Sequence, residues 1–291
     1  MLHLYRIIKY KFFNNFISVK INVSYHLYIL IVYFRKKLLN FGHKKKLYNI
    51  EVLKKTQELK RNGFVKINSV ISNDEAFRIS EKATELIKRN INVKKDDVSP
   101  RLVTKVLKPC DDLNIIPEKI LSNYKVSGIL DNYYLSDYKI KWIDFYRSFP
   151  SDLPTSSWLW HIDNLPVGII KGIILFTKQD INSGAMQYLD KKRTYASIKN
   201  KYYGSSQVQR YNDISALIRK EGLDFKTNIL SGEAGDMFLF FPNQLHKAVP
   251  PIEHYRDAAT FLIVPTYLDS EFKYDHDKLQ NNLEKPFNPW T

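Results

Sequence analysis

From residue 138 onward, the chain consists of short segments rich in aromatic and β-branched residues, separated by turn-forming residues. Turn sequences occur at 182–184, 231–236, 242–243 and 250–251, and they contain glycine, proline, asparagine or aspartate. Many short strands with such turns between them are typical of a β-sandwich or jelly roll. Strands are predicted at 139–149, 158–163, 168–177, 185–189, 228–230, 237–241, 245–249 and 258–267.

The part before these strands predicts helices that flank the sheet. Apolar spacing predicts one helix over 51–62, ended by Gly63, then a strand over 64–67, and a second helix from Ser72 or Asn73 to about Arg89. Residues 91–137 give no clear pattern, and prolines at 100, 109 and 117 interrupt them. The fold class is therefore mainly β with flanking helices.

A chain of 291 residues that is 44% hydrophobic has room for one sizeable core. We assign that domain to 48–268, with an insertion or lid at 191–222 in which 213–220 is helical, and a polar tail at 269–291. Because Cys110 is the only cysteine, an intrachain disulfide is excluded and a cysteine-based zinc site nearly so. This usage fits a reducing compartment, so we expect a cytoplasmic protein.

Residues 1–47 form a basic arm that is also rich in aromatic and aliphatic residues. Residues 1–50 hold ten Lys or Arg and no acid, which leaves 35 basic against 30 acidic residues in the rest of the chain. The apolar run at 21–34 is shorter than the roughly 20 residues of a spanning helix. Two interpretations have equal weight: peripheral contact with an anionic membrane surface, or a helix packed on the domain. No recognition motif accompanies the basic residues, so nucleic-acid binding is not expected.

The segment Trp158 to Asp163 is the most informative for function. In a strand, residues two apart share a face, so His161 and Asp163 would point the same way and Trp160 and Ile162 the other way. An imidazole beside a carboxylate supplies two of the three ligands of the facial triad that holds Fe(II). A His-x-Asp sequence by itself is common, and a hydrogen-bonded pair is its usual meaning.

The third ligand is predicted after the next apolar strand. Residues 237–241 are followed by a turn at Pro242-Asn243, and His246 then enters a new strand beside the first pair. Two neutral imidazoles and one carboxylate leave three metal positions for a chelating 2-oxo acid and O₂. His254 is the alternative ligand, but it follows Pro250-Pro251 in a segment that resembles a loop.

Arg256 lies ten residues after His246 and shares a strand face with Ala258 and Thr260. An arginine can bind a carboxylate with two hydrogen bonds, and a hydroxyl at 260 could add a third. A surface arginine at a strand edge is the structural alternative, but the position of Arg256 after His246 favours the functional role. Lys171 could also face the pocket and contact a co-substrate, although a solvated lysine is as good an interpretation. From the preceding strand, the pocket could be lined by Trp142, Tyr146 and Arg147.

The order His161-x-Asp163, His246, Arg256 resembles the phytanoyl-CoA dioxygenase-like branch of the Fe(II)/2-oxoglutarate oxygenases, over about residues 51–267. This resemblance implies a double-stranded β-helix (a cupin-like jelly roll), a metal bound by those three ligands, and Arg256 bound to the far carboxylate of 2-oxoglutarate. The family's Ser-His pair in the middle strands has no counterpart here. Halogenating relatives have a small residue where Asp163 stands, so its presence favours hydroxylation with decarboxylation of 2-oxoglutarate to succinate and CO₂.

Two other functions compete with this enzyme: a jelly-roll binding protein without turnover, and a membrane-surface adaptor that acts through residues 1–47. The expected substrate is a small molecule, or a lipid- or glycan-linked compound if the arm contacts a bilayer.

Overall fold

The structure is a computed structural model that describes residues 31, 34, 49–95, 102–152, 155–163, 165, 168–204, 209–266 and 277. The predictions for the basic arm (1–47) and the polar tail (269–291) lie outside the described residues, apart from three isolated positions. None of the helices within the described ranges is long and apolar enough to cross a membrane.

The first elements confirm the predicted helix–strand–helix order. Helix α1 (Ile50–Asn62) ends at Gly63, which adopts a left-handed conformation with φ of 87°. Strand β1 (Phe64–Ile67) follows, and then helix α2 (Asn73–Arg89). Ser72 caps α2, since its side chain accepts a hydrogen bond from the backbone N–H of Glu75.

The segment without a clear sequence pattern contains five elements. Strands β2 (Val93–Lys95) and β3 (Val103–Val106) pair with each other. Helices α3 (Pro109–Asp112), α4 (Pro117–Ser122) and α5 (Tyr124–Tyr134) follow. Two of the prolines thus begin helices, at positions where the missing N–H removes no hydrogen bond.

The remaining strands lie close to their predicted positions. They are β4 (Asp137–Ser148), β5 (Ile170–Leu175), β6 (Met186–Tyr188), β7 (Asn228–Leu230), β8 (Met237–Phe240), β9 (His246–Lys247) and β10 (Arg256–Thr266). Between β6 and β7 lie helices α6 (Lys191–Lys199) and α7 (Ser215–Arg219).

These strands form the two antiparallel sheets of a jelly roll. In the described ranges, the larger sheet has the order β1-β8-β5-β10-β4-β3-β2 and the smaller one the order β7-β6-β9. Apolar side chains from both sheets meet between them, including Ile173 and Phe238 from the larger and Met186 and Tyr188 from the smaller. The other face of the larger sheet packs on the flanking helices. The predicted fold class is confirmed.

The prediction of a strand over 158–163 is wrong, because this segment does not form the regular hydrogen bonds of a strand. Residues Ser156–Trp158 form a 3₁₀ turn, and Trp160 and His161 make isolated bridges to Tyr211 and His246. Because each residue pairs with a different segment, no continuous ladder forms. The alternation survives, since Trp160 and Ile162 are buried in one cluster away from His161.

The segment 191–222 shares a hydrophobic core with the residues beside the predicted ligands. Its side chains Ile198, Tyr202 and Ile218 are buried against Trp160. The Tyr202 hydroxyl lies 2.7 Å from the carbonyl oxygen of Trp160 and accepts from the backbone N–H of Tyr211. This part of the predicted insertion is therefore packed on the domain; its role as a lid stays a prediction.

Arg147 does not line the interior. Its guanidinium lies on the helix side of the sheet, where it donates to both carboxylate oxygens of Asp257 at 2.7 and 2.5 Å. Ser80 of α2 donates to the same carboxylate. This buried ion pair joins α2 to β4 and β10.

Candidate metal centre

The structure brings His161, Asp163 and His246 together. One ligand atom from each of them lies within 4.8 Å of the other two. The Nε2 atoms of His161 and His246 are each 3.7 Å from a different oxygen of the Asp163 carboxylate. In the part of the chain that is described, this is the one cluster of three or more metal-ligating side chains.

Backbone hydrogen bonds hold the three residues in place. The N–H of His161 donates to the carbonyl of His246 and the reverse bond also forms, both at 3.0 Å. The N–H of Asp163 donates to the carbonyl of Pro242, at the predicted turn, over 2.9 Å. The turn at 242–243 therefore holds Asp163 through a hydrogen bond and directs the chain to His246.

Each imidazole is oriented by a carbonyl on its own segment. Nδ1 of His161 lies 2.8 Å from the carbonyl oxygen of Leu159, and Nδ1 of His246 lies 2.8 Å from that of Gln244. Because a carbonyl can only accept, each Nδ1 carries the proton and each Nε2 lone pair faces the centre. This is the tautomer that a metal requires of both residues.

Burial keeps both rings neutral. The pKa of His161 falls well below its usual value because burial and the neighbouring His246 disfavour its charged form. Burial likewise lowers the pKa of His246. The centre therefore offers two neutral imidazole nitrogens near neutral pH.

Asp163 supplies the anionic ligand. Burial raises the pKa of its carboxyl, but the charge and hydrogen bond of Lys171 together with the two neighbouring histidines outweigh burial and hold the pKa well below the usual range. The ammonium of Lys171 lies 2.7 Å from Asp163 Oδ2 and 5.5 Å from the ring centre of Trp142. Lys171 thus faces the interior, as one of its two interpretations predicts, and contacts a ligand carboxylate.

Arg256 is a buried residue, only 2% exposed, so the surface interpretation is wrong. Its Nη1 donates to the carbonyls of Gly184 and Val249, and its Nη2 donates to the hydroxyl of Ser148 over 3.2 Å. Its Nε is buried without a hydrogen-bond partner among the described residues. A buried, unpaired guanidinium N–H is costly, and an incoming carboxylate would satisfy it.

The other predicted positions are also placed. Thr260 is half-buried on β10, opposite Ile173, on the strand face shared by Arg256 and Ala258. The ring of Tyr146 lies 5.7 Å from the Arg256 guanidinium. The side chain of His254 is 87% exposed, close to Glu253, and lies outside the metal-ligating cluster.

Arg210 is a residue that sequence reasoning missed. Its Nε donates to the carbonyl of Gly204, and a Cβ on Gly204 would lie 2.8 Å from the Cα of His161. Its positive charge contributes to lowering the pKa of both His161 and His246. No motif marks Arg210, because only packing of the 191–222 segment brings it near the ligands.

Comparisons with known proteins show likeness of fold and not of sequence. No protein-family model matches the chain, and no curated protein matches it. The fold is similar to that of SnoK, a non-heme alpha ketoglutarate dependent carbocyclase from nogalamycin biosynthesis, with a TM-score of 0.54 and 16% identity over 76% of this chain and 84% of that chain.

Two further solved structures share the fold. EctD from S. alaskensis with bound Fe has a TM-score of 0.52 and 11% identity over 77% of this chain and 80% of that chain. The epimerase SnoN in complex with Fe3+, alpha ketoglutarate and nogalamycin RO has a TM-score of 0.50 and 10% identity over 74% and 84%.

Proposed function

We propose that this protein is an Fe(II)- and 2-oxoglutarate-dependent dioxygenase that hydroxylates an organic substrate, and that it belongs to the phytanoyl-CoA dioxygenase-like branch. The cluster of His161, Asp163 and His246 inside a jelly roll carries the proposal. Two neutral nitrogens and one carboxylate match the donor set of the facial triad. Similar folds that contain iron and alpha ketoglutarate add support.

Each candidate residue has a proposed role in binding the ion or the co-substrate. His161, Asp163 and His246 would hold the ion, which supplies the oxidising chemistry when O₂ is present. Arg256 would bind the far carboxylate of 2-oxoglutarate, since its buried Nε has no acceptor among the described side chains and backbone. The packed interior keeps bulk water from these groups and strengthens their electrostatic interactions.

Lys171 and Thr260 are proposed as additional co-substrate contacts. Lys171 lies beside a ligand carboxylate, and Thr260 lies on the strand face of Arg256. When the ion neutralises Asp163, the ammonium of Lys171 becomes available to a second anion. Both contacts would orient 2-oxoglutarate.

Hydroxylation is the reaction outcome that we propose, because Asp163 provides the carboxylate ligand. Proteins of similar fold carry out other reactions, since SnoK is a carbocyclase and SnoN is an epimerase. Formation of succinate with a hydroxylated product would distinguish hydroxylation from these outcomes.

The test is the visible charge-transfer band of an Fe(II)–2-oxoglutarate chelate, measured on the protein without oxygen. We expect the band in the wild type, its loss in His161→Ala, and a higher 2-oxoglutarate concentration at half-saturation in Arg256→Gln. His254→Ala is the matched control, since it removes an exposed imidazole outside the cluster and should leave the band unchanged.

Absence of the band in folded, iron-containing wild-type protein would refute the proposed function. A band without succinate formation after O₂ is admitted, with or without candidate substrates, would instead favour the non-catalytic jelly-roll protein. Loss of the band in His254→Ala but not in His161→Ala would refute the ligand assignment.

A further inference from the structure

The candidate metal centre is surrounded by more positive than negative side chains. Asp163 is its one carboxylate ligand, while Lys171 contacts that carboxylate and Arg210 donates to the carbonyl of Gly204, which lies against the backbone of His161. The two histidines add no charge when they bind a metal, because each Nδ1–H donates to a backbone carbonyl and each Nε2 offers its lone pair. Such an imbalance in a partly desolvated site favours a ligand that carries negative charge.

Arg210 is a partly buried cation that forms no ion pair with a described carboxylate. It is partly buried, and its described hydrogen bond uses only Nε, which donates to the Gly204 carbonyl over 2.9 Å. Within the described ranges, no Asp or Glu oxygen lies within 4.0 Å of its guanidinium, in contrast to Arg147, Arg193 and Lys171. Burial also lowers the pKa of Arg210, as expected for a cation removed from water.

Arg210 is also fixed relative to the metal centre. The backbone oxygen of the next residue, Tyr211, accepts from the N–H of Trp160 over 3.0 Å, and the Tyr211 ring stacks on Tyr202. Gly204, which binds the guanidinium, lies against the backbone of Trp160 and His161. The Nε of Arg210 is therefore held beside the segment that carries His161.

The proposed complex of metal and 2-oxoglutarate carries an excess of positive charge. A divalent ion, the Asp163 carboxylate, the dianion 2-oxoglutarate and Arg256 together have no net charge. Lys171 and Arg210 then leave the complex with two positive charges in excess, and because Lys171 contacts Asp163 and is assigned to 2-oxoglutarate, Arg210 is the cation left without an anionic partner. The co-substrate does not account for Arg210, because Arg256 provides the buried N–H for its far carboxylate.

We propose that the substrate carries an anionic oxygen group, a phosphate or a carboxylate, and that Arg210 binds this group beside the metal centre while Lys171 provides a second positive charge. This inference rests on the proposed function, since it assumes that metal and 2-oxoglutarate occupy their positions. The planar guanidinium can donate two parallel hydrogen bonds to either group. Arg210 would thus select the substrate class and fix its orientation.

The test measures anion binding by titration calorimetry on the full-length protein, loaded with Fe(II) and saturated with 2-oxoglutarate without oxygen. Inorganic phosphate and acetate are titrated separately, with sodium chloride keeping the ionic strength constant because salt screens such contacts. We expect at least one of the two anions to bind the wild type, and to bind Arg210→Gln about tenfold more weakly. The anion that binds, phosphate or acetate, identifies the substrate group as a phosphate or a carboxylate.

Arg219→Gln is the matched control. Arg219 is an exposed arginine at the end of α7 in the same segment, so its removal subtracts the same charge away from the centre. Its anion affinity should equal that of the wild type. An equal loss in both variants would mean that net charge, and not a site at Arg210, attracts the anion, and would overturn the proposal.

The chelate band of each sample distinguishes failure of the substrate assignment from failure of the proposed function. If the wild type shows the band but neither anion binds, or binding does not depend on Arg210, the substrate assignment is wrong and the proposed function stands. If Arg210→Gln loses the band, Arg210 acts on the metal or co-substrate and the assignment is again wrong. If the wild type shows no band, the proposed function and this inference fail together.

Discussion

Gly204 lies directly against the backbone that carries His161, and replacing it with alanine tests how firmly the 191–222 segment fixes the metal centre. Gly204 has φ of 58°, and an added Cβ would lie 2.4 Å from the carbonyl oxygen of Trp160 and 2.8 Å from the Cα of His161. Both contacts are with backbone atoms, so rotation of a side chain cannot relieve them.

The expected effect has two parts. A left-handed conformation costs an L-residue about 1–2 kcal/mol relative to glycine. Ordinary contact begins near 3.4 Å, so the two backbones must also separate by about 1 Å. Metal constellations tolerate displacements of only about 0.5 Å. We therefore expect Gly204→Ala to weaken Co(II) binding at least about tenfold, in addition to lowering the free energy of unfolding.

Gly222→Ala is the control that isolates the contact. Gly222 has a similar φ of 71°, but nothing lies within 4 Å of an added Cβ. This variant should lose about 1–2 kcal/mol of unfolding free energy and keep wild-type Co(II) affinity. Stability follows from denaturant unfolding of the apoprotein and affinity from the Co(II) absorption spectrum. The reasoning is refuted if Gly204→Ala matches Gly222→Ala in both measurements.

Three further predictions concern other contacts of the site and fold. Lys171→Met should bind Co(II) at least as tightly as the wild type, because the ammonium competes with the ion for the Asp163 carboxylate. The same variant should bind 2-oxoglutarate about tenfold more weakly, because it lacks the proposed charged contact. Calorimetry measures both affinities, and an unchanged affinity for 2-oxoglutarate would exclude that contact. Asp257→Asn should lower the unfolding free energy by about 3–5 kcal/mol, since it leaves the buried Arg147 unpaired; a loss below about 1 kcal/mol in denaturant unfolding would contradict this. A site with two histidines of ordinary pKa, near 6.5, would lose about 100-fold in metal affinity between pH 7.5 and 5.5, because both imidazoles become protonated. Protons compete less with the metal when both pKa values are lowered, so we expect Co(II) titration to show a loss below about tenfold. A 100-fold loss would show that both histidines have ordinary pKa values.

Local sequence patterns predicted much of the sheet and the three clustered ligands. Alternation along a strand and the turn at 242–243 are short-range features, so strands β1 and β7 were predicted to the residue. The same alternation put His161 and Asp163 on one side although their segment forms no regular strand. Side-chain direction depends on the local backbone, whereas the ladder depends on which partner segment is nearby.

The parts that were missed depend on distant contacts or on helix chemistry. The position of Arg256 after His246 favours a functional role, but its hydrogen bonds to the carbonyls of Gly184 and Val249 cannot be predicted from the local sequence. Arg210 reaches the centre through the packing of Tyr202 on Trp160. Pro109 and Pro117 indicate interruptions when only the sequence is considered, but both begin helices, because proline is also favoured in the first turn of a helix.

The mutual hydrogen bonds between His161 and His246 join parts of the chain that are 85 positions apart. Closing so long a loop is entropically unfavourable, and two backbone hydrogen bonds offset little of that cost. An ion bound by both imidazoles would act as a reversible cross-link over the same loop and stabilise the native state by mass action. The concentration of the available metal would then determine what fraction of the protein is folded.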